Sequence, residues 1–169
     1  MNDTPAVRSE VSLKSEDALV LFKLYEEAAE KTKAQAWSQT TWLLTLNAGI
    51  IAFSLDFYAN HADTRGALLI ECIAAVVGIV LCLFLIYLLH ELGRHLSHYW
   101  TTSNQIALAY HPLTAFISKE DSEAARAPGY SAPFPKFCRR LQYLTLLFLG
   151  AHVGWVCIAI ALLPPHKRL

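Results

Sequence analysis

Three long apolar stretches dominate the pattern of hydrophobic and polar positions along the chain. The clearest covers residues 67–89, with one charged side chain, Glu71, and no proline. A second covers residues 141–163, and a third, residues 37–58, is interrupted by polar side chains such as Asn47. Because a helix rises about 1.5 Å per residue, each stretch is long enough to cross a hydrocarbon core roughly 30 Å thick. The pattern predicts an all-α membrane protein with three transmembrane helices.

The segments between these stretches also have helical periodicity. Residues 15–36 form an amphipathic pattern that Ser15 can cap, and the pattern beyond residue 89 continues the second transmembrane helix. The segment KEDSEAARAPGYSAPFP, rich in Ala, Pro, Gly and Ser, indicates a linker. The predicted order is a tail and amphipathic helix at 1–36, transmembrane helices at 37–58 and 67–89, a helical extension and linker at 90–140, a transmembrane helix at 141–163, and a tail at 164–169.

The distribution of basic residues predicts the orientation. Of the 14 lysines and arginines, eleven fall within residues 1–36 and 90–140, and three lie in the remaining connection and tail. Because positively charged flanks are retained in the cytoplasm, we expect both basic segments to be cytoplasmic and the C-terminus to lie on the opposite side. The amphipathic helix and the extension of the second transmembrane helix would then be cytoplasmic.

Composition narrows the classes of function. The chain has 169 residues, 54% of them hydrophobic, and a formal net charge of zero. This length leaves no room for a separate catalytic domain beside three spans, and the neutral charge gives no attraction to nucleic acid. The four cysteines form neither a disulfide framework nor a zinc pattern. We predict no enzymatic activity and no cofactor.

Small and polar positions within the spans predict where helices pack. The first span repeats small residues at spacings of four and three, and the last contains a GxxxG motif. We interpret Asn47 as an interhelical hydrogen-bonding group, with lining of a pore or contact with a ligand as the alternative. We interpret His152 as a hydrogen-bonded structural histidine, with a proton-sensitive group as the alternative. Glu71 is expected to reach the headgroups. The predicted packing residues are Thr41, Thr45, Asn47, Ala48, Ala52, Gly78, Gly150 and Gly154.

A further cluster follows the second span. Glu91, His95 and His98 have the i, i+4, i+7 spacing that places side chains on one side of a helix. The spacing is compatible with a metal site, but the histidines do not form the HExxH motif of zinc proteases. The preferred interpretation is that the three side chains form a polar, solvent-exposed face of the helix, and a metal site is the alternative.

The order of these parts resembles the RipA-like family of small bacterial inner-membrane proteins. The resemblance covers most of the chain and is carried by LYEEAAEKTKAQAWSQ leading into TTWLLTLNAGIIAF, by RHLSHYWTTSNQIA, and by FPKFCRRLQY before the last span. It implies a homo-oligomer of the cytoplasmic membrane without enzymatic chemistry, in a family described as octameric. It also implies structural roles for Thr45, Leu46 and Asn47. The chain is more loosely similar to the SLATT-type membrane effectors of antiphage systems.

Three hypotheses follow from the residues and the resemblance. The first is a non-enzymatic homo-oligomer of the bacterial inner membrane, with a periplasmic C-terminus, that serves envelope or stress adaptation and has the lipid bilayer and its own copies as partners. The second is a signal-gated effector that forms a pore or channel in the membrane. The third is an enzyme or metal-dependent transporter centred on Glu91, His95 and His98, which lacks an accompanying nucleophile, base or phosphate-binding loop.

Overall fold

The computed structural model describes residues 15–61 and 65–162 and contains no strand within these ranges. It has four α-helices and one 3₁₀ helix, which confirms the all-helical prediction. The predicted tail at 164–169 and the first 14 residues lie outside the described ranges. The helices are α1 (Ser15–His61), α2 (Arg65–Ala109), a 3₁₀ helix (His111–Phe116), α3 (Lys119–Ala125) and α4 (Lys136–Leu162).

Three of these helices, α1, α2 and α4, are long and apolar enough to cross a membrane. Helix α1 joins the amphipathic segment and the first apolar stretch without a break, because no proline or glycine lies between Ser15 and Gly49. Helix α2 likewise continues well past residue 89 and ends at Ala109, where Tyr110 turns to an extended conformation before Pro112. The helical extension of the second span is therefore 20 residues long, from residue 90 to residue 109.

The linker prediction is wrong for residues 119–125, which form α3. Ser118 caps this helix, since its Oγ accepts a hydrogen bond of 3.0 Å from the backbone N–H of Asp121. Glu120 and Asp121 also place negative charge at the positive end of the helix dipole. These cap signals precede the Pro- and Gly-rich part of the segment, so composition averaged over the whole segment concealed them.

The chain after α3 does turn as its Pro and Gly residues predict. The backbone N–H of Tyr130 donates to the carbonyl of Ala127 across Pro128 and Gly129. Gly129 has a φ of 73°, which L side chains seldom adopt. Proline followed by a glycine of positive φ is the signature of a type II turn.

The chain divides into two compact units. The loop unit contains residues 15–28 and 98–132 of the described chain. Its core consists of Phe22, Ala107 and Leu113, and the rings of Phe22 and Phe116 lie 6.2 Å apart. Hydrogen bonds from Asn104 to the Tyr130 hydroxyl and from the Ala132 backbone to Thr101 hold the returning chain against α2.

The helix bundle contains residues 29–61, 65–97 and 133–162. Near one end, Ala36 of α1 packs with Leu85 and Leu89 of α2 and with Leu141 of α4. At the other end, the Trp155 ring of α4 meets the Tyr58 ring of α1 at 5.4 Å. These contacts show that α1 and α4 run in the same direction.

Most of the outward surface of the bundle is apolar. Large hydrophobic side chains are exposed along each of its three helices, which is unfavourable in water and expected in lipid. The exposed positions on α2 alone include Leu69, Ile73, Val76, Val80, Leu83, Phe84 and Tyr87.

Candidate functional site

Buried polar side chains line the inside of the helix bundle, and we call this set the polar seam. Its members on α1 and on α4 recur every seven residues, about two helical turns, so each set stays on one helix face. All are at most 4% exposed. The polar seam consists of Thr40, Asn47 and Ser54 of α1, Glu71 of α2, and Thr145 and His152 of α4.

The centre of the polar seam joins all three long helices. The side-chain oxygen Oδ1 of Asn47 lies 3.0 Å from Nε2 of His152 and 3.4 Å from Sγ of Cys82. The amide nitrogen Nδ2 of Asn47 donates to the carbonyl of Leu43 at 2.8 Å, one turn back on its own helix. Both ends of the Asn47 amide are therefore satisfied inside the protein, in a region where an unpaired polar group is costly.

This arrangement fixes the proton on His152. Because a backbone carbonyl accepts from Nδ2, that nitrogen must face Leu43, and Oδ1 must face His152 and Cys82. Oδ1 can only accept, so Nε2 of His152 has to donate. The neutral ring then carries its proton on Nε2, and Nδ1 is left as an acceptor.

Gly78 of α2 makes room for the His152 ring. A Cβ placed on Gly78 would overlap the imidazole, whereas none of the atoms of other helices approaches Gly49 or Gly150 within 4 Å. The absence of a side chain at residue 78 thus lets His152 lie against the backbone of α2 and reach Asn47. Gly93 has the same role for Phe134, whose ring also stacks on His90.

A second polar contact lies near the end of the bundle. The indole Nε1 of Trp155 donates to Oε2 of Glu71 at 2.8 Å, and Oε1 of Glu71 has no hydrogen-bond partner within the described chain. Glu71 is 2% exposed, so the prediction that it reaches the headgroups is wrong. Its side chain turns inward because the indole of α4 supplies a donor there.

Two threonines of the polar seam are satisfied by their own helices. The hydroxyl of Thr40 donates to the carbonyl of Ala36 at 2.6 Å, and that of Thr145 donates to the carbonyl of Leu141 at 2.9 Å. Threonine commonly makes this i−4 bond in helices. Both side chains occupy space between helices without linking them.

The structure separates the predicted packing residues into two groups. Asn47 and Gly78 are buried in the polar seam. The others lie on the outward side of the bundle, exposed or half-buried, so contacts that they make with another copy stay a prediction. This outward group consists of Thr41, Thr45, Ala48, Ala52, Gly150 and Gly154.

The weak metal candidates do not gather into a site. Glu91 pairs with Arg94 at 3.4 Å, and the exposed rings of His95 and His98 lie one helical turn apart on α2. Within residues 15–61 and 65–162, no group of three or more His, Cys, Asp or Glu side chains is placed to hold a metal ion.

Sequence reasoning missed the partners of the polar seam. It identified Asn47 and His152 as hydrogen-bonding groups, but it did not pair them with each other. It also did not pair Asn47 with Cys82 or Glu71 with Trp155. The matching signal was available, because Thr145 and His152 are also seven residues apart on α4. Polar residues that recur every seven positions on two different spans indicate that these two helix faces lie against each other. No comparable sequence pattern predicts that the Glu71 side chain turns inward.

The described residues form an all-helical protein with three helices able to span a membrane, and the polar seam lies between these helices. No protein-family model matches the chain, and no curated protein or solved structure is significantly similar to it.

Proposed function

We propose that this protein is a non-enzymatic, homo-oligomeric membrane protein of the bacterial inner membrane, of the RipA-like kind, that serves envelope or stress adaptation. The polar seam supports a structural role for the interior, since its central groups bond to one another and offer no nucleophile activated by a base. The proposed partners are the lipid bilayer and further copies of the chain.

The main support for assembly is a face of small residues that the protomer itself does not use. Gly150 is exposed, and a Cβ at Gly150 or Gly154 would meet nothing within 4 Å. Cys157 is exposed one turn further along the same face of α4. In membranes, such GxxxG faces allow the backbones of two helices to approach closely. A second copy of α4 is therefore the proposed neighbour.

The mass of the assembly tests this contact. Isoleucine at Gly154 or at Gly150 would hold two helices apart, so each variant should reduce the mass of the solubilised complex. Gly66→Ile is the matched control, because Gly66 is equally open but lies at the start of α2, away from the α4 face. If Gly154→Ile keeps the wild-type mass, α4 is not the interface.

Cys157 offers an independent reading of the same contact in intact membranes. Two copies that pack through Gly150 and Gly154 bring their Cys157 thiols near one another, so mild oxidation should give a covalent dimer. Cys157→Ser should remove that dimer, and Gly154→Ile should reduce it. An unchanged yield in Gly154→Ile would place the cross-link outside a specific interface.

Localisation and orientation belong to the same proposal. The basic residues of 1–36 and 90–140 favour a cytoplasmic N-terminus, a cytoplasmic amphipathic helix and extension of α2, and a periplasmic C-terminus. Alkaline phosphatase fused after Leu169 should then be active, and a fusion near Ser122 inactive. The reverse pattern would contradict the orientation.

The alternative function is a signal-gated pore effector. Thr41 and Thr45 favour it, because both are exposed polar residues on the face of α1 turned away from the polar seam. Asn47 does not favour a pore, since its amide is hydrogen-bonded within the protomer. Ion flux from liposomes separates the two functions: a pore lined by α1 should respond to Thr45→Val, whereas a scaffold should release no ions in either form.

A further inference from the structure

A groove of about 330 Å³ lies between α1 and α4 within the helix bundle. Its walls are mostly apolar or small side chains, and two members of the polar seam, Ser54 and His152, also line it. All of its residues fall within the predicted spans, so molecules dissolved in the membrane are the ones that can reach it. The lining residues are Ile51, Ser54, Ala151, His152, Gly154, Trp155 and Ile158.

The two polar lining residues have complementary hydrogen-bonding capacity. Nε2 of His152 is committed to Asn47, and Nδ1 has no protein partner within the described chain, although the ring is only 2% exposed. As derived above, Nδ1 is an acceptor. The Ser54 hydroxyl, on the opposite wall, can donate. At membrane depth an acceptor without a partner is unfavourable, and a ligand that donates to it removes that penalty.

We propose that this groove binds the hydroxyl end of a membrane-soluble alcohol. A hydroxyl group can donate to Nδ1 of His152 and at the same time accept from Ser54, which a carbonyl or an alkyl chain cannot do. The hydrocarbon part of the ligand packs against Ile51 and Ile158. A volume of about 330 Å³ is at the lower end for ligand sites, which favours a short or partly inserted chain.

The groove is formed within one protomer, and it shares Gly154 with the proposed contact between copies of α4. It makes no use of the metal candidates or of the loop unit. The mass of the assembly tests one proposal and ligand selectivity tests the other, so either can fail while the other holds.

Trp155 supplies a built-in reporter, because its indole lines the groove. Trp37 and Trp42 are exposed and Trp100 is half-buried, so Trp→Phe at these three positions leaves Trp155 as the single tryptophan at little structural cost. The probes are bromohexanol, with hydroxyl and bromine at opposite ends, and bromohexane, which lacks the hydroxyl. Bromine quenches indole fluorescence on contact, so quenching of Trp155 reports a probe in the groove. The experiment uses the protein in phosphatidylcholine liposomes.

Bromohexanol should quench Trp155 saturably, with a half-saturating concentration in the membrane roughly fivefold below that of bromohexane, the factor expected for one net hydrogen bond. Ser54→Ala should reduce this preference. Ile51→Phe fills the groove with a larger side chain and should abolish saturable quenching. Thr45→Val is the control, because Thr45 is outside this groove and its loss should leave the preference unchanged.

Three results would overturn the proposal. Equal quenching by the two probes would mean that the groove binds hydrocarbon and that the hydroxyl group does not contribute to binding. If Ser54→Ala keeps the preference for bromohexanol over bromohexane, the Ser54 hydroxyl does not donate to the ligand. Selective quenching that survives Ile51→Phe would place the alcohol elsewhere. The comparison of probes in the single-tryptophan protein needs no substitution in the groove, so it stands even if a groove variant fails to fold.

Discussion

The helix bundle and the loop unit distribute polarity in opposite ways. In the loop unit, Phe22, Ala107 and Leu113 form an apolar core, and the charged side chains lie on the surface. In the bundle, the apolar side chains of α1, α2 and α4 are mostly on the outside, and the polar seam with Asn47 and His152 at its centre is inside. The two units of the chain therefore differ in whether polar side chains lie at the centre or at the surface.

The difference reflects what surrounds each unit. Water drives apolar side chains together, so burial of Phe22, Ala107 and Leu113 itself stabilises the core of the loop unit. Lipid is as apolar as leucine and supplies no such force, so helices in it associate through close packing and hydrogen bonds. In the bundle, the close packing of His152 on Gly78 and the hydrogen bond between Asn47 and His152 stabilise the contact between helices. In the loop unit, the apolar core around Phe22 has that role.

The largest expected effect is in the loop unit. Phe22→Ala should leave a cavity and lower the local stability of this unit by about 3 kcal/mol. Hydrogen exchange should become faster in residues 98–132, while the bundle keeps its protection. Leu24→Ala is the control, because Leu24 is 58% exposed and its loss should change exchange little. Equal loss of protection in both units would show that the two cores are not separate.

Gly78→Ala should have the next largest effect and should act on the bundle. The added methyl group overlaps the His152 ring and forces it away from Asn47, which should cost about 2 kcal/mol of unfolding free energy. Gly49→Ala is the matched control, since its added methyl meets no other helix. Denaturation in mixed micelles measures both. A bundle unchanged by Gly78→Ala would contradict the contact between α2 and α4.

Glu71 should show a smaller effect that depends on the replacement. Glu71→Leu leaves the indole N–H of Trp155 without an acceptor and should cost about 1 kcal/mol, whereas Glu71→Gln keeps a side-chain oxygen and should cost less. The denaturation midpoint and the emission wavelength of Trp155 report both changes. If leucine and glutamine behave alike, the hydrogen bond does not contribute.

Thr145→Val should have the smallest effect, within about 0.5 kcal/mol. The hydroxyl bonds only to the carbonyl of Leu141 on its own helix, and valine has nearly the same shape. Thr40→Val should behave in the same way for the same reason. A loss above 1 kcal/mol in either variant would mean that the polar seam links helices at these positions as well.

Much of the fold could be predicted from residue patterns, because the three apolar stretches and the amphipathic segment from residue 15 are local signals. The partners within the polar seam could not. That Asn47 needs a hydrogen bond follows from its place in a span, but that His152 supplies it depends on the packing of α4 against α1. The inward turn of Glu71 depends on Trp155, 84 residues away, which no local pattern reveals.

The bond that joins α1 to α4 is tested most directly by a double-mutant cycle on Asn47 and His152. Asn47→Ala, His152→Ala and the double variant are unfolded in the same mixed micelles, and the coupling is the amount by which the effect of the double variant departs from the sum of the single effects. We expect a coupling between about 0.6 and about 1.7 kcal/mol, which are the average and the largest values measured for hydrogen bonds between membrane helices. Effects that add to within about 0.3 kcal/mol would contradict the pairing and, with it, the polar seam as the element that joins the helices.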